Sequence, residues 1–359
     1  MPIIRALLRL DYEVFVITPR DEYAQKLSDL KLDFKLIFYD LRRNSLNPFS
    51  NIKDFVNLFV ILRKLKLDII QTNAHKCNTF GIFAATFARI KKRFCIVEGL
   101  GSFFVENDFK SKFTQKIIIF LYKISFKLAH KFIFVNAANA AFMRDFGLRE
   151  NKIKIIKSTG VNLKHFCPLK ITQKEKKHFL QNIGANADLP IVLMVSRALI
   201  HKGIKEFYEA AFLLKNKANF IFAGGEDKGK FGLDLDFLKG GEVLYLGQQD
   251  DIAKLLNLCD IFVLPSYKEG FPQSVLEAKA CAKPCIVSEV EGCVEAVRHG
   301  IDGLYVQPKN AQDLAEKIAL LLEDKQLCKN LAQNAFKSAL NYDETEVAKR
   351  YIELYESTL

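Results

Sequence analysis

The stretch IFVLPSYKEGFPQSVLE, residues 261–277, decides the fold. Its first four residues form a continuous apolar run, which is typical of a strand buried in a parallel sheet. Pro265 ends that run, and Pro272 suits the first turn of a following helix. The sequence therefore predicts a strand, a short loop and a helix. Free N–H groups at the helix start would form an anion site, which Gly270 lets a ligand approach closely.

Two carboxylates frame this predicted turn. Glu277 follows Glu269 by eight positions, a distance of about 12 Å if the segment is helical throughout. That distance is roughly the span from the sugar ring to the ribose in a sugar nucleotide. One carboxylate could accept hydrogen bonds from sugar hydroxyls and the other from ribose hydroxyls. A capped helix with two exposed glutamates explains the same spacing, so the pattern alone leaves both interpretations open.

A second candidate segment is SRALIHKG, residues 196–203, which follows another predicted strand. Arg197 and Lys202 there could hold a diphosphate and neutralise the charge that develops as it leaves. A solvated basic turn is the alternative interpretation. Two further turns, AGGED (223–227) and YLGQQDD (245–251), could line a nucleotide pocket through Gly224, Gly225, Gly247 and Gln248.

Alternating strands and helices extend over the whole chain and predict an α/β fold with parallel sheets. The predicted strands are Glu13–Thr18, Phe34–Phe38, Asp68–Gln71, Phe94–Val97, Lys131–Val135, Ile191–Val195, Asn219–Ala223, Val243–Leu246, Ile261–Leu264 and Pro284–Val287. The lysine-rich stretch from 170 to 186 interrupts this rhythm. We therefore expect one domain over residues 1–170, a second over 171–340 and a final helix over 341–359 that packs back towards the first domain.

Composition excludes several classes of protein. The 359 residues are 50% hydrophobic and 26% charged, which indicates a globular chain. No apolar run approaches the ~18 residues that cross a bilayer, and the first residues do not resemble a signal peptide. We expect a cytosolic or cytosol-facing protein. The eight cysteines include no CxxC pair, so we expect buried free thiols and no metal site.

Charge is unevenly distributed along the chain. Residues 1–170 carry 30 Lys and Arg against 14 Asp and Glu, whereas residues 171–359 carry 23 against 27. A basic half can indicate nucleic acid, an anionic membrane or an anionic substrate. No nucleic-acid recognition motif is present, so we expect no nucleic-acid partner.

Four lysines in the basic half suggest the membrane. Lys112, Lys116, Lys123 and Lys127 fall within about 60° of one another on a helix and are flanked by apolar residues. The pattern predicts a basic amphipathic helix that could contact anionic lipid. A helix packed on the core with a solvated lysine face is the alternative.

Taken in order, these segments resemble the retaining family 4 glycosyltransferases of the GT-B fold. The resemblance is carried by PSYKEGFPQSVLEAKACAKPCIV (265–287), EGCVEAVRHGIDGLYV (291–306), FVNAANAAFMRDFGL (134–148) and IIKSTGVNLKHFCP (155–168). It implies two Rossmann-like domains that face each other across a cleft. It also implies that no metal is needed, because cations and a helix end neutralise the leaving diphosphate.

The resemblance assigns roles to individual residues. Arg197 and Lys202 match the diphosphate-binding pair, Glu269 the carboxylate that faces the donor sugar, and Glu277 the carboxylate that holds the ribose. The backbone amides around Gly270–Pro272, that of Phe271 included, would assist at the phosphate or the sugar. Retention is expected by same-face attack, in which the leaving phosphate helps to take the acceptor's proton.

A narrower resemblance points to the branch of this family that builds bacterial N-glycans on a lipid carrier. It is carried by MPIIRALL (1–8), FVITPRDEYAQKL (15–27), NAHKCNTFGIFAA (73–85) and VEGLGSFF (97–104). It implies a UDP-N-acetylhexosamine donor, with GalNAc and an α1,3 linkage favoured. The implied acceptor is polyprenyl-diphosphate-linked diacetylbacillosamine, which places the enzyme peripherally on the cytoplasmic face of the inner membrane.

Two features depart from the family pattern. Many relatives carry a histidine where a strand of the first domain ends, but here that strand ends in VEGLG. Glu98 and His75 are the candidates for its place near the reacting carbon. Family members also begin with a central strand and a glycine-bearing loop before the helix that MPIIRALLRL resembles, whereas this chain starts within that helix, so we expect the first domain to lack its first strand.

Two other functions remain open from the sequence. A UDP-sugar epimerase or hydrolase of the same fold would need no lipid acceptor. A non-catalytic paralogue would bind the nucleotide without turnover, and the departures at Glu98 and at the first strand favour that interpretation.

Overall fold

The computed structural model describes residues 1–39, 48–99, 109–227, 229 and 231–357. The chain divides into two compact units. The amino-terminal unit comprises Met1–Thr159 and Thr345–Leu359, and the carboxyl-terminal unit comprises Gly160–Glu344. The boundary thus lies at residue 160 rather than at 170, and the last helix groups with the amino-terminal unit.

The amino-terminal unit alternates helices with parallel strands. Its elements are α1 (Pro2–Arg9), β1 (Phe15–Thr18), α2 (Glu22–Asp29), β2 (Lys35–Phe38), α3 (Pro48–Leu65), β3 (Ile69–Asn73), α4 (Ile82–Phe87), β4 (Lys92–Val97), α5 (Phe109–Leu128), β5 (Lys131–Phe134), α6 (Ala137–Asp145) and β6 (Ile153–Ile155). The central strand β4 is almost fully buried, as its apolar run FCIV requires.

The strands of this unit form two parallel sheets rather than one. β1 pairs with β2, and β3, β4, β5 and β6 form a separate sheet in that order. The carbonyls of Val14 and Thr18 accept hydrogen bonds from the β2 side, from the amides of Lys35 and Tyr39. The N–H and C=O groups of successive residues point to opposite sides of a strand. The backbone groups of Phe15 therefore point to the side of β1 opposite β2.

One layer of helices lies against both sheets of this unit. Ile17 of β1 and Ile70 of β3 pack against one cluster of buried residues that includes Leu62. Although β1 and β3 belong to different sheets, they therefore pack on the same helices. The expectation that this domain lacks the family's first strand stays a prediction.

The carboxyl-terminal unit is a doubly wound α/β domain. Its elements are α7 (Gln173–Asn182), β7 (Ile191–Val195), α8 (Ile204–Leu213), β8 (Asn219–Ala223), α9 (Leu235–Leu238), β9 (Val243–Tyr245), α10 (Ile252–Leu258), β10 (Ile261–Leu264), α11 (Gln273–Ala280), β11 (Cys285–Ser288), α12 (Cys293–Ala296), β12 (Leu304–Val306), α13 (Ala311–Glu323) and α14 (Lys325–Ala339). The chain ends with α15 (Glu344–Glu356).

The sheet of this unit has a topological switch point between β7 and β10. Its order is β12-β11-β10-β7-β8-β9, and all neighbouring strands are parallel. The chain therefore builds outward in one direction after β7 and in the other after β10. Open α/β sheets bind ligands at the carboxyl ends of the strands at such a point. The segments that follow β7 and β10 carry Arg197 and Glu269.

Candidate active site

The turns after β7 and β10 pack tightly against each other. Gly203 has a φ of +77°, and a Cβ at that position would lie 1.9 Å from the carbonyl oxygen of Pro265. The amide of Tyr267 donates to the carbonyl of His201 at 2.9 Å. A glycine is therefore required at position 203, and the close packing fixes Lys202 beside the loop that carries Glu269.

Lys202 and Glu269 form an ion pair at the switch point. Lys202 Nζ lies 2.6 Å from Glu269 Oε1, and their side chains are 18% and 9% exposed. Ser266, which is fully buried, donates its hydroxyl to the same oxygen at 2.7 Å. Glu269 Oε2 has no hydrogen-bond partner in the part of the chain that the structure describes. The arrangement holds one cation and one oriented carboxylate at a single point.

Close backbone contact also holds the Glu269 loop from its other side. A Cβ on Gly292 would lie 2.3 Å from the carbonyl oxygen of Gly270 and 2.6 Å from that of Glu269. Gly292 has a φ of +80°, a conformation that glycine adopts without strain. The loop between β10 and α11 is therefore fixed by contacts on two sides.

Glu277 lies one turn inside α11. Burial raises the pKa of its carboxyl to about 7, and a hydrogen bond from Gln273 partly offsets this effect. A carboxyl with a pKa near neutrality is uncommon away from functional sites. Pro272 caps the helix, and the Phe271 ring packs against Tyr342 at 5.4 Å. Phe271 thus anchors the loop through its side chain, which leaves its predicted amide role untested.

Arg197 is the second predicted diphosphate cation and is far more exposed. Its side chain is 68% exposed, and its NH1 lies 3.3 Å from Asp227 Oδ2. The same aspartate accepts a hydrogen bond from the amide of Gly229 through Oδ1 at 2.8 Å. An exposed pair of this kind contributes little to stability, so the guanidinium can exchange this partner for an anionic ligand.

Three of the predicted nucleotide residues line one cavity of about 490 Å³ at the ends of β8 and β9. These are Gly225, Gly247 and Gln248, together with Glu226 and Tyr245 among others. Gly224 plays a packing role instead, because a Cβ there would lie 1.6 Å from the carbonyl oxygen of Ser196. Gly225, Gly247 and Gln248 thus lie together with Gly224 beside them, and their role in binding the nucleotide stays a prediction.

The two candidates of the amino-terminal unit follow neighbouring strands of one sheet. His75 follows β3, and its Nδ1 lies 2.9 Å from the hydroxyl of Tyr122. Glu98 follows β4 and is exposed, but the surrounding protein desolvates its carboxylate and raises its pKa. Parallel strands end at the same edge of a sheet, so both groups belong to that edge. Beyond Gly99, the segment VEGLGSFF lies outside the described residues.

Sequence reasoning missed two residues of these sites. Ser266 directly follows Pro265 in the sequence, but a serine in a loop does not by itself predict a hydrogen bond to a carboxylate. Tyr122 lies on the apolar face of a predicted helix, where an aromatic residue predicts packing in the core and not a hydrogen bond to His75. Among the described residues, no three His, Cys, Asp or Glu side chains come together as a metal site.

Comparison with known proteins decides the family. The profile of the Glycosyl transferases group 1 matches residues 151–338, and that of Glycosyltransferase Family 4 matches residues 3–165. The chain belongs to the family 4 glycosyltransferases. The sequence prediction of this family, and of an enzyme that transfers sugars, is thereby confirmed.

Two relatives align with almost the entire chain. A protein of Campylobacter jejuni is 56% identical over 359 residues, which is 100% of this chain and 95% of that protein. It is the N,N'-diacetylbacillosaminyl-diphospho-undecaprenol α-1,3-N-acetylgalactosaminyltransferase. The UDP-Gal:α-D-GlcNAc-diphosphoundecaprenol α-1,3-galactosyltransferase of Escherichia coli is 26% identical over 99% of this chain and 95% of its own length.

Solved structures support the fold. A glycosyltransferase of Rickettsia africae superposes with a TM-score of 0.79 at 22% identity, over 99% of this chain and 93% of its own. The Anabaena protein HepE, solved with UDP and glucose, gives 0.80 at 20% identity, over 96% and 91%. The family 4 enzyme described here has the GT-B fold, with two parallel-sheet α/β domains.

Proposed function

We propose that this glycosyltransferase moves N-acetylgalactosamine from UDP-GalNAc to undecaprenyl-diphosphate-linked diacetylbacillosamine, in an α1,3 linkage. The observation that carries the proposal is the 56% identity to the Campylobacter enzyme over the entire chain. The Escherichia coli relative acts on another sugar linked to diphosphoundecaprenol, which supports the class of acceptor.

The residues of the carboxyl-terminal unit supply the donor chemistry in this proposal. The acceptor hydroxyl oxygen bonds to the anomeric carbon as the bond from that carbon to the diphosphate breaks, and UDP leaves with the electron pair. Lys202 and Arg197 neutralise the charge that develops on the diphosphate, with the amino end of α11. The acceptor's proton passes to the leaving phosphate oxygen, so attack occurs on the face that UDP leaves.

Two carboxylates position the donor. Glu269 accepts hydrogen bonds from donor-sugar hydroxyls, while Ser266 and Lys202 hold its other oxygen. Glu277 accepts hydrogen bonds from the ribose hydroxyls. The diphosphate is neutralised by side-chain cations and helix N–H groups, and this charge set suits a transferase that uses a UDP-sugar as co-substrate without a resident metal or cofactor.

The proposal is tested by measuring UDP release from UDP-GalNAc with and without the lipid-linked bacillosamine. We expect release that depends on the acceptor, and a disaccharide product with retained anomeric configuration. UDP-GlcNAc and UDP-Gal, as matched donors, should turn over about tenfold more slowly, the order of one lost hydrogen bond. Conversion of UDP-GalNAc without acceptor would indicate an epimerase or hydrolase, and nucleotide binding without turnover would indicate a non-catalytic protein.

We also propose that α5 contacts the cytoplasmic face of the inner membrane. Phe113 and Phe120 are 60% and 63% exposed on this helix, beside exposed lysines. Tyr122 and Phe126 pack in the core on the opposite face. Exposed apolar rings among cations suit the surface of an anionic bilayer better than bulk water. In the described ranges, no helix combines the length and apolar character needed to span a membrane.

Reversing the α5 charges tests this contact. Replacement of Lys112, Lys116, Lys123 and Lys127 by Glu should weaken binding to anionic phospholipid vesicles by roughly three orders of magnitude, at about 1 kcal/mol per lysine. The matched control reverses four exposed lysines of the carboxyl-terminal unit, namely Lys174, Lys217, Lys325 and Lys329. Equal vesicle binding by the two quadruple variants would contradict an α5 contact.

A further inference from the structure

A chain of buried hydrogen bonds connects the residue after β3 with the middle of α5. His75 Nδ1 lies 2.9 Å from the hydroxyl of Tyr122, and Asn78 Nδ2 lies 3.4 Å from that hydroxyl. Asn78 Nδ2 also donates to the carbonyl of Ile96 at 2.7 Å, and Thr72 Oγ1 donates to Asn78 Oδ1 at 2.7 Å. Thr72, Asn78 and Tyr122 are all buried.

The chemistry of these groups fixes the direction of each bond. The carbonyl of Ile96 can only accept, so the Asn78 atom beside it is the amide nitrogen, which can only donate. Burial raises the pKa of Tyr122, which keeps its hydroxyl protonated. The Tyr122 oxygen accepts from Asn78. Among the described residues, the acceptor that remains for its proton is His75 Nδ1.

The protonation state of His75 follows from the hydrogen bond that the Tyr122 hydroxyl donates to it. An imidazole nitrogen that accepts a hydrogen bond carries no proton, so His75 is neutral and its proton resides on Nε2. Local backbone strain accompanies this arrangement. Ala74 has a φ of +70°, and a single π turn spans Cys77–Gly81. Such turns recur at functional sites, where the surrounding contacts maintain a costly conformation.

We propose that Tyr122 is a positioning residue that holds His75 as a neutral imidazole with its proton on Nε2, so that His75 donates a hydrogen bond to an oxygen of the acceptor. The identity of the acceptor rests on the proposed function. The role of His75 agrees with the same-face route, in which the leaving phosphate takes the acceptor's proton. A His75 that donates through Nε2 recognises the acceptor and does not deprotonate it.

The tautomer is measured without any substrate. In ¹⁵N-labelled protein, a long-range ¹H–¹⁵N spectrum above the histidine pKa should give His75 an unprotonated Nδ1 and a protonated Nε2. Tyr122→Phe should convert this to a mixture of tautomers. The matched control is Tyr351→Phe, which removes another fully buried hydroxyl from the same unit and should leave the His75 signals unchanged. A protonated Nδ1 in the wild type, or an unchanged spectrum in Tyr122→Phe, would overturn the inference.

A pair of amide variants tests the donor role. The amide nitrogen of His75→Gln reaches the place of Nε2, whereas that of His75→Asn reaches the place of Nδ1. We expect His75→Gln to retain about tenfold more kcat/KM for the acceptor than His75→Asn, the order of one hydrogen bond, with the KM for UDP-GalNAc unchanged. A higher kcat/KM for the acceptor in His75→Asn than in His75→Gln would contradict donation by Nε2. If the ¹H–¹⁵N spectrum of His75 is as expected but the enzyme uses an acceptor other than the lipid-linked bacillosamine, the proposed function fails and the inference about Tyr122 and His75 stands.

Discussion

Replacement of Lys202 by methionine is expected to lower kcat/KM by two to three orders of magnitude, the usual loss when one donor to a developing negative charge is removed. Methionine keeps the length of the side chain and removes its charge. The substitution also leaves the carboxylate of Glu269, which is 9% exposed, without its cation. Breaking a buried pair in this way costs about 3 kcal/mol of stability. Steady-state kinetics and thermal unfolding measure the two losses separately.

Two comparisons separate the electrostatic role of Lys202 from its structural role. The double variant Lys202→Met/Glu269→Gln should regain most of the stability but none of the turnover, because it removes the unpaired charge without restoring the cation. The matched control is Lys176→Met. Lys176 is also 18% exposed and pairs with Asp260 at 2.5 Å, but Asp260 lies at the amino ends of β7 and β10, opposite the ends that carry the candidate site. Turnover near that of the wild type in Lys202→Met, or an equal loss in both single variants, would contradict the assignment.

Three inner strands of the carboxyl-terminal sheet could be predicted from the sequence because their patterns are local. β7, β8 and β10 have the predicted bounds, since each is an apolar run of four or five residues ended by Ser, Gly or Pro. The short edge strands β6 and β12 were missed. β6 has only three residues, and two of them are exposed, so it lacks the continuous apolar run that identifies a buried strand.

The boundary of the first domain shows how composition can mislead. The polar stretch from 170 to 186 suggested a junction, but it contains α7, which begins at a capping box of Thr172 and Glu175. That helix packs on the carboxyl-terminal core through Leu180. A polar surface helix and a linker have similar compositions, and only the spacing of the capping residues distinguishes them.

The candidate site was predicted residue by residue but not as a set of contacts. Lys202 and Glu269 are 67 positions apart, and they meet because β7 and β10 are neighbours in the sheet. No local pattern encodes that order of strands. The contacts of Tyr122 likewise depend on tertiary packing, since His75 and Asn78 are 47 and 44 positions away from it. Ser266 bonds Glu269 within one loop, but the shape of that loop depends on the strands and turns packed around it.

Replacement of Glu277 by glutamine should raise the KM for UDP-GalNAc about 100-fold while changing kcat less. A neutral amide accepts the ribose hydrogen bonds less strongly than a carboxylate, and hydrogen bonds to charged groups are worth about 1.5–3 kcal/mol each. In the wild type, the pKa of Glu277 is raised to about 7 by burial. Ribose hydroxyls favour the ionised form, so the KM for the donor should fall as pH rises from 6 to 8. In Glu277→Gln this dependence should disappear.

The raised pKa of Glu277 also predicts that the stability of the fold decreases as pH rises, whereas donor binding improves. The folded protein holds a proton on Glu277 up to about pH 7, whereas the unfolded chain releases it near pH 4.5, so stability falls as pH rises between these values. The loss is on the order of 3 kcal/mol above pH 7. Glu277→Gln should therefore have the higher melting temperature at pH 8, with a difference that vanishes near pH 4, whereas the exposed control Glu316→Gln should match the wild type throughout. A difference independent of pH would show that Glu277 ionises normally in the folded chain.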